Sequence, residues 1–136
     1  MARLALAYVG TLVAFCALDF VWLGTIAKPI YQGEVGALLL PRPNLVAAAL
    51  LYLMYAAALV GFAIVPALES GGVWRAAATA ACLGLVVYGV YDLTNLATLK
   101  GWTIRITAVD MTWGTAVSAA SAAAGYGLAR LAGGTI

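Results

Sequence analysis

Long, unbroken apolar runs constrain this chain more than any other feature. The first covers about residues 4–27, and others follow at about 45–67, 74–97 and 104–131. Each reaches the ~20 residues a helix needs to cross a hydrocarbon core about 30 Å thick. The composition agrees: 65% of residues are hydrophobic and 9% are charged, whereas a soluble domain carries about 25% charged residues. Such a chain cannot cover a water-facing surface. The runs are continuous rather than alternating, which argues against a β-barrel. The expected fold is an all-α integral membrane protein. Four antiparallel transmembrane helices would form one compact bundle over residues 1–136, with both termini on the same side.

The punctuation between runs refines this plan. A secretory signal is the alternative for the first run, but the run is too long for one and contains Asp19, so it reads as a true membrane helix. Residues 28–43 read as a loop, opened by Lys28-Pro29 and closed by Pro41 and Pro43, with Leu38, Leu39 and Leu40 at the interface. Asn44 is placed to cap the second helix. Pro66 slows that helix, and Glu69-Ser70-Gly71-Gly72 closes it. Trp74 and Arg75 open the third, residues 98–102 link it to the fourth, and Gly133-Gly134 finish the chain. Basic residues are almost evenly divided between the two sides. Lys28, Arg42, Lys100 and Arg105 stand on one and Arg3, Arg75 and Arg130 on the other, so orientation stays open.

Several functions are excluded early. A net charge of +2 without a basic run gives no footprint for nucleic acid. The absence of histidine removes His-based metal sites, triads and pH switches. No divalent-metal motif such as Asp-x-x-Asp is present, so no metal ligand is assigned and the cofactor is left unknown. Cys16 and Cys82 both fall within membrane runs and read as small buried apolar residues rather than a redox pair.

The five acidic residues are sorted by type. Glu34 and Glu69 lie between runs, whereas Asp19, Asp92 and Asp110 lie within them. An aspartate at the centre of a membrane helix costs about 2.5–3.5 kcal/mol on insertion scales, so a protein-lined or hydrated site is expected around it. Asp19 stands eight residues before the end of the first run, Asp92 five before the end of the third, and Asp110 six into the fourth. At about 1.5 Å per residue, alternating helices bring all three to one level, roughly 8–12 Å from the same boundary.

Helical spacing supplies a common face. The stripes are Tyr8, Thr11, Phe15, Asp19 and Trp22 on the first helix, and Gly84, Tyr88, Tyr91, Asp92 and Asn95 on the third. The fourth presents Asp110, Trp113, Gly114, Val117, Ser118 and Ser121, while the second adds Asn44, Tyr52 and Tyr55. A short echo, Asp19-Phe20-Val21-Trp22 and Asp110-Met111-Thr112-Trp113, places each tryptophan where it could wall or hydrogen-bond its own carboxylate. A structural reading stands beside the functional one: buried polar groups tie membrane helices together, and Lys28, Lys100 or Arg105 could neutralise a carboxylate. Gly114, Ser118 and Ala122 form a small-residue stripe suited to packing within the bundle rather than to a dimer face.

The segments Leu18–Gly24, Pro43-Asn44, Tyr91-Asp92-Leu93-Thr94-Asn95-Leu96-Ala97-Thr98 with Lys100 and Trp102, and Asp110-Met111-Thr112-Trp113-Gly114 resemble the bacterial "domain of unknown function 2177" family over nearly the whole chain. The resemblance implies a small, multi-pass inner-membrane protein of four helices and brings no catalytic residues with it. Three function classes stay open. The favoured one binds or processes a lipid-like or small apolar molecule in a polar pocket lined by the three aspartates. Asp92 would be acid or base with Asp19 or Asp110 as its partner, since crowded acids in a low dielectric cannot all ionise without a cation. Asn95, Thr94, Tyr91, Tyr88, Trp22, Trp113, Asn44 and Lys100 are the expected ligand contacts. The second class is a small proton-coupled carrier, for which four helices are thin and a homodimer would be needed. The third is an accessory subunit with a purely structural aspartate cluster. The partners considered are the bilayer and this lipid-like ligand, with a homodimer left open and no nucleic acid, and whether the protein is an enzyme is undecided.

Overall fold

The computed structural model describes residues 1–132; Gly133 and Gly134, read above as finishing the chain, lie outside them. Every regular element among the described residues is helical. Helix α1 (Ala2–Val21) widens into a π turn at Trp22–Ile26, continues as α2 (Ala27–Val35) and ends in a 3-10 turn at Gly36–Leu38. Helix α3 (Leu45–Leu59) passes through a second π turn, Val60–Ile64, into α4 (Val65–Glu69), and α5 (Gly72–Thr98) and α6 (Ile104–Leu131) complete the chain.

The expected loop at 28–43 is therefore corrected, because most of it is helix. The physical reason lies in the π turns. A proline interrupts a helix because it lacks an N–H for the i−4 carbonyl. A π turn resets that register, so the following residues behave as a fresh first turn. Pro29 is the third residue of α2 and Pro66 the second of α4, and both follow such a turn. In the first π turn the Ala27 N–H reaches back to the Trp22 carbonyl, and the Thr25 hydroxyl donates to the Val21 carbonyl at 2.5 Å. Two residues that look like stops are thus carried inside continuous helical columns.

The true breaks have local causes. Asn44 caps α3 as expected, its Oδ1 accepting from the N–H groups of Val46 and Ala47 at 3.1 Å. Between α4 and α5 the backbone turns through Gly71 (φ 111°) and Gly72 (φ 75°), a region that only glycine enters cheaply. Arg75 ties the turn by donating to the Ser70 carbonyl and hydroxyl, both at 2.7 Å. Thr103 caps α6 through the Ile106 N–H at 3.2 Å.

Helix α6 is the axis of the packing, lying along both α1 and α5. Contacts of α1 and then α2 with α6 run in opposite chain directions, from Gly10 beside Gly125 to Asp19 beside Trp113 and, on α2, Glu34 beside Arg105. On α6 the buried positions Ile106, Asp110, Gly114, Val117, Ser118, Ser121 and Gly125 recur at helical spacing. A Cβ on Gly84 would lie 2.8 Å from the Ser118 Cβ, and one on Gly114 would enter the Tyr88 ring, so α5 and α6 meet backbone to backbone. The stripe Gly114, Ser118 and Ala122 is buried in this contact, as expected for packing inside the protein.

Large apolar side chains cover the outside, among them Phe20, Leu45, Val46, Leu50, Met54 and Phe62. Three helical columns are long and apolar enough to cross a membrane: Ala2–Leu38, Leu45–Glu69 and Gly72–Thr98. Helix α6 has 28 residues and buries Thr107, Asp110, Ser118 and Ser121. Neither cysteine is paired, and Cys82 is exposed on the apolar exterior rather than buried as expected.

Candidate functional site

Asp19 and Asp110 stand on α1 and α6 at the level where those helices pass each other. Asp19 is 7% exposed and accepts two neutral hydrogen bonds, from the Tyr52 hydroxyl at 2.5 Å and the Trp113 indole N–H at 3.0 Å. Asp110 accepts from the Tyr31 hydroxyl. The Asp-x-x-Trp echo is thereby resolved differently from the expectation. Trp113 does not serve its own helix's carboxylate but crosses to Asp19, and Trp22 stacks on it, with ring centres 4.4 Å apart and planes 4° from parallel. Trp113, three positions beyond Asp110 on α6, thus stands opposite Asp19 of α1.

Basic residues take no part. Arg105 pairs with Glu34 at 3.1 Å, and Glu34 also accepts from Thr103, so this network joins α2 to the start of α6. Among the described residues no ion pair reaches any of the three aspartates, and Lys28 and Lys100 are exposed. Among the described residues, the donors to Asp19 and Asp110 are hydroxyl and indole groups.

Between these groups lies a cavity of about 320 Å³. Phe15, Asp19, Trp22 and Leu23 line it from the first column, with Tyr31 from α2, and Leu51, Tyr52 and Tyr55 from α3. Val87, Tyr88 and Tyr91 close it from α5 and Asp110 from α6. Its aromatic wall is continuous: Phe15 meets Tyr52 and Tyr55 edge-on at 5.6 and 5.3 Å, and Tyr55 meets Tyr88 at 6.4 Å. Leu23, Leu51 and Tyr91 line the cavity yet remain 48%, 52% and 56% exposed, so its mouth opens on the apolar flank of the molecule.

Asp92 is the departure from the sequence reading. It is fully buried, but it does not line the cavity; it lies behind Asp110, beside that carboxyl. Among the described residues neither of its oxygens has a hydrogen-bond donor. Ionised carboxylates only accept, so two of them side by side cannot donate to each other. The polar pocket is thus lined by two aspartates and backed by the third.

The remaining expected contacts divide. Trp22, Tyr88 and Tyr91 line the cavity, and Trp113 supports it from behind. Asn95 is half-buried one turn beyond Tyr91 and within reach of its hydroxyl. Thr94 faces an outer groove between α5 and α6, Asn44 is spent on capping, and Lys100 sits exposed beyond α5, so these three are not brought to the site. Tyr31 was missed because its segment reads as a loop. No spacing in the sequence marks it: Tyr31 stands twelve residues after Asp19, about 120° round a regular α-helix, and the wider π turn at Trp22–Ile26 lies between them.

Residues 4–127 match the family described as "Predicted membrane protein (DUF2177)". The chain belongs to that family. No curated protein and no solved structure matches this DUF2177 member, so fold and cavity stand on its own residues.

Proposed function

We propose that this membrane protein binds a lipid-like amphiphile in the aromatic cavity, with the polar end of the ligand at Asp19 and Asp110. One observation carries the reading: the cavity combines two buried carboxylates with an otherwise apolar lining and a mouth on the membrane-facing flank. Ligand pockets are typically about 300–1,000 Å³, mostly apolar, with few polar groups that fix orientation. A volume of about 320 Å³ takes a head and the first part of a chain, and the rest would trail through the mouth into the bilayer. In this reading α6 crosses the membrane with the other three columns. The four crossings are antiparallel, both termini lie on one side, and the protein resides in a bacterial inner membrane.

Native mass spectrometry of protein extracted from its own membranes tests the proposal. A bound amphiphile is expected on the wild type, and Leu51→Trp, which fills the mouth, should deplete it. Protein that is bare in every extraction, and that does not cross-link to a photoreactive fatty acyl probe at Leu51 or Tyr91, would sink it.

A proton-coupled carrier is the second reading, and the donorless Asp92 beside Asp110 favours it. A shared proton that leaves when a cation arrives would link ligand to proton movement. Flux into proteoliposomes driven by a pH gradient, and lost in Asp92→Asn, separates a carrier from a binding protein.

A further inference from the structure

We propose that the cavity selects an amphiphile whose head is an organic ammonium. This rests on the binding reading above and names the ligand's chemistry. Charge gives the first argument. The cavity wall holds Asp19 and Asp110 and no lysine or arginine, and their donors, Tyr52, Trp113 and Tyr31, are neutral. A phosphate or carboxylate head would meet two acidic groups without a cation to pair with. The buried Asp92, which has no donor, adds further acceptor capacity directly behind Asp110.

The walls give the second argument, and it distinguishes among cations. A hard metal ion replaces its water with about six to eight oxygen ligands, whereas this cavity is faced mostly by rings. An ammonium or trimethylammonium group instead takes its stabilisation from ring faces within about 6 Å together with a carboxylate. Phe15, Tyr52, Tyr55 and Tyr88 pack edge-on one against the next, with neighbouring centres 5.3–6.4 Å apart, and form one aromatic wall for a cation in the cavity to rest against. The indole N–H of Trp22 is buried at this wall without an acceptor among the described residues.

The test uses full-length protein purified in an uncharged detergent and three probes with the same alkyl chain: an alkyltrimethylammonium, an alkyl maltoside and an alkyl sulfate. Native mass spectrometry counts the bound molecules, and tetramethylammonium is added as competitor. The ammonium probe is expected to bind about tenfold or more tightly than the maltoside, with the sulfate weakest. Tetramethylammonium should displace the ammonium probe, and binding as tightly as the chain-bearing probe would assign the site to a small free amine rather than a lipid. Equal binding of all three probes would overturn the ammonium inference while leaving an amphiphile cavity standing. Failure of every probe to bind would overturn both. Asp19→Asn and Asp110→Asn, checked for native helicity and elution, should erase the preference for ammonium over maltoside. The competition on wild-type protein decides the matter should either variant not fold.

Discussion

Asp19 and Asp92 are the same side chain on two helices that both pack against α6, yet their surroundings are opposites. Asp19 sits at a cavity wall, and both its oxygens are taken by donors from other helices, Tyr52 of α3 and Trp113 of α6. Asp92 is sealed away with no donor, facing another acid. The difference follows from helix separation. At the crossing of α5 and α6, Gly84 meets Gly114, Gly89 lies close to Met111, and the Tyr88 ring takes up the space over Gly114. Beside Asp19, Phe15 and Tyr52 meet edge-on at the wall of the open cavity. Close packing makes an acid pair, whereas wide packing makes a pocket.

The comparison breaks most completely if the close crossing is forced apart. Gly114→Leu would drive a side chain into the Tyr88 ring, at a cost of about 3 kcal/mol, readable as loss of resistance to denaturant in detergent. Asp92 should then become reactive towards a carbodiimide, whereas in the wild type it stays unlabelled. Next in size is Asp19→Leu, which strands the Tyr52 hydroxyl and the Trp113 N–H and should cost about 2 kcal/mol in the same assay. Asp92→Asn is the sharpest contrast at comparable depth. It supplies an amide donor to Asp110, so stability should hold or rise by up to about 1 kcal/mol. A loss as large as that of Asp19→Leu would mean that Asp92 has a partner after all. Tyr31→Phe removes one hydrogen bond to Asp110 and should cost about 1 kcal/mol. Smallest is Glu34→Gln. Its ion-pair partner Arg105 is 69% exposed, so the lost pair should cost under about 0.5 kcal/mol and vanish in high salt.

Much of the fold was legible because it depends on neighbours in the chain. Helix α6 spans Ile104–Leu131, as its apolar run and the link before it imply. Asn44 caps α3, and the glycines at 71 and 72 turn the chain where glycine alone is comfortable. Depth along a helix is also local arithmetic, which is why Asp19 and Asp110 meet at one level. What escaped was non-local. A π turn changes the register by one residue and rescues a proline, and nothing in the residues 22–26 announces it, so α2 and its Tyr31 were read as loop.

By itself the sequence determined that the chain belongs in a bilayer, where its helices begin, and that three acids lie within them, because hydropathy and capping act over a few residues. Only the tertiary structure decided which acid faces a cavity and which faces another acid. That choice depends on how closely neighbouring helices meet, as at Gly84 and Gly114, which lie on different helices and thirty residues apart in the chain.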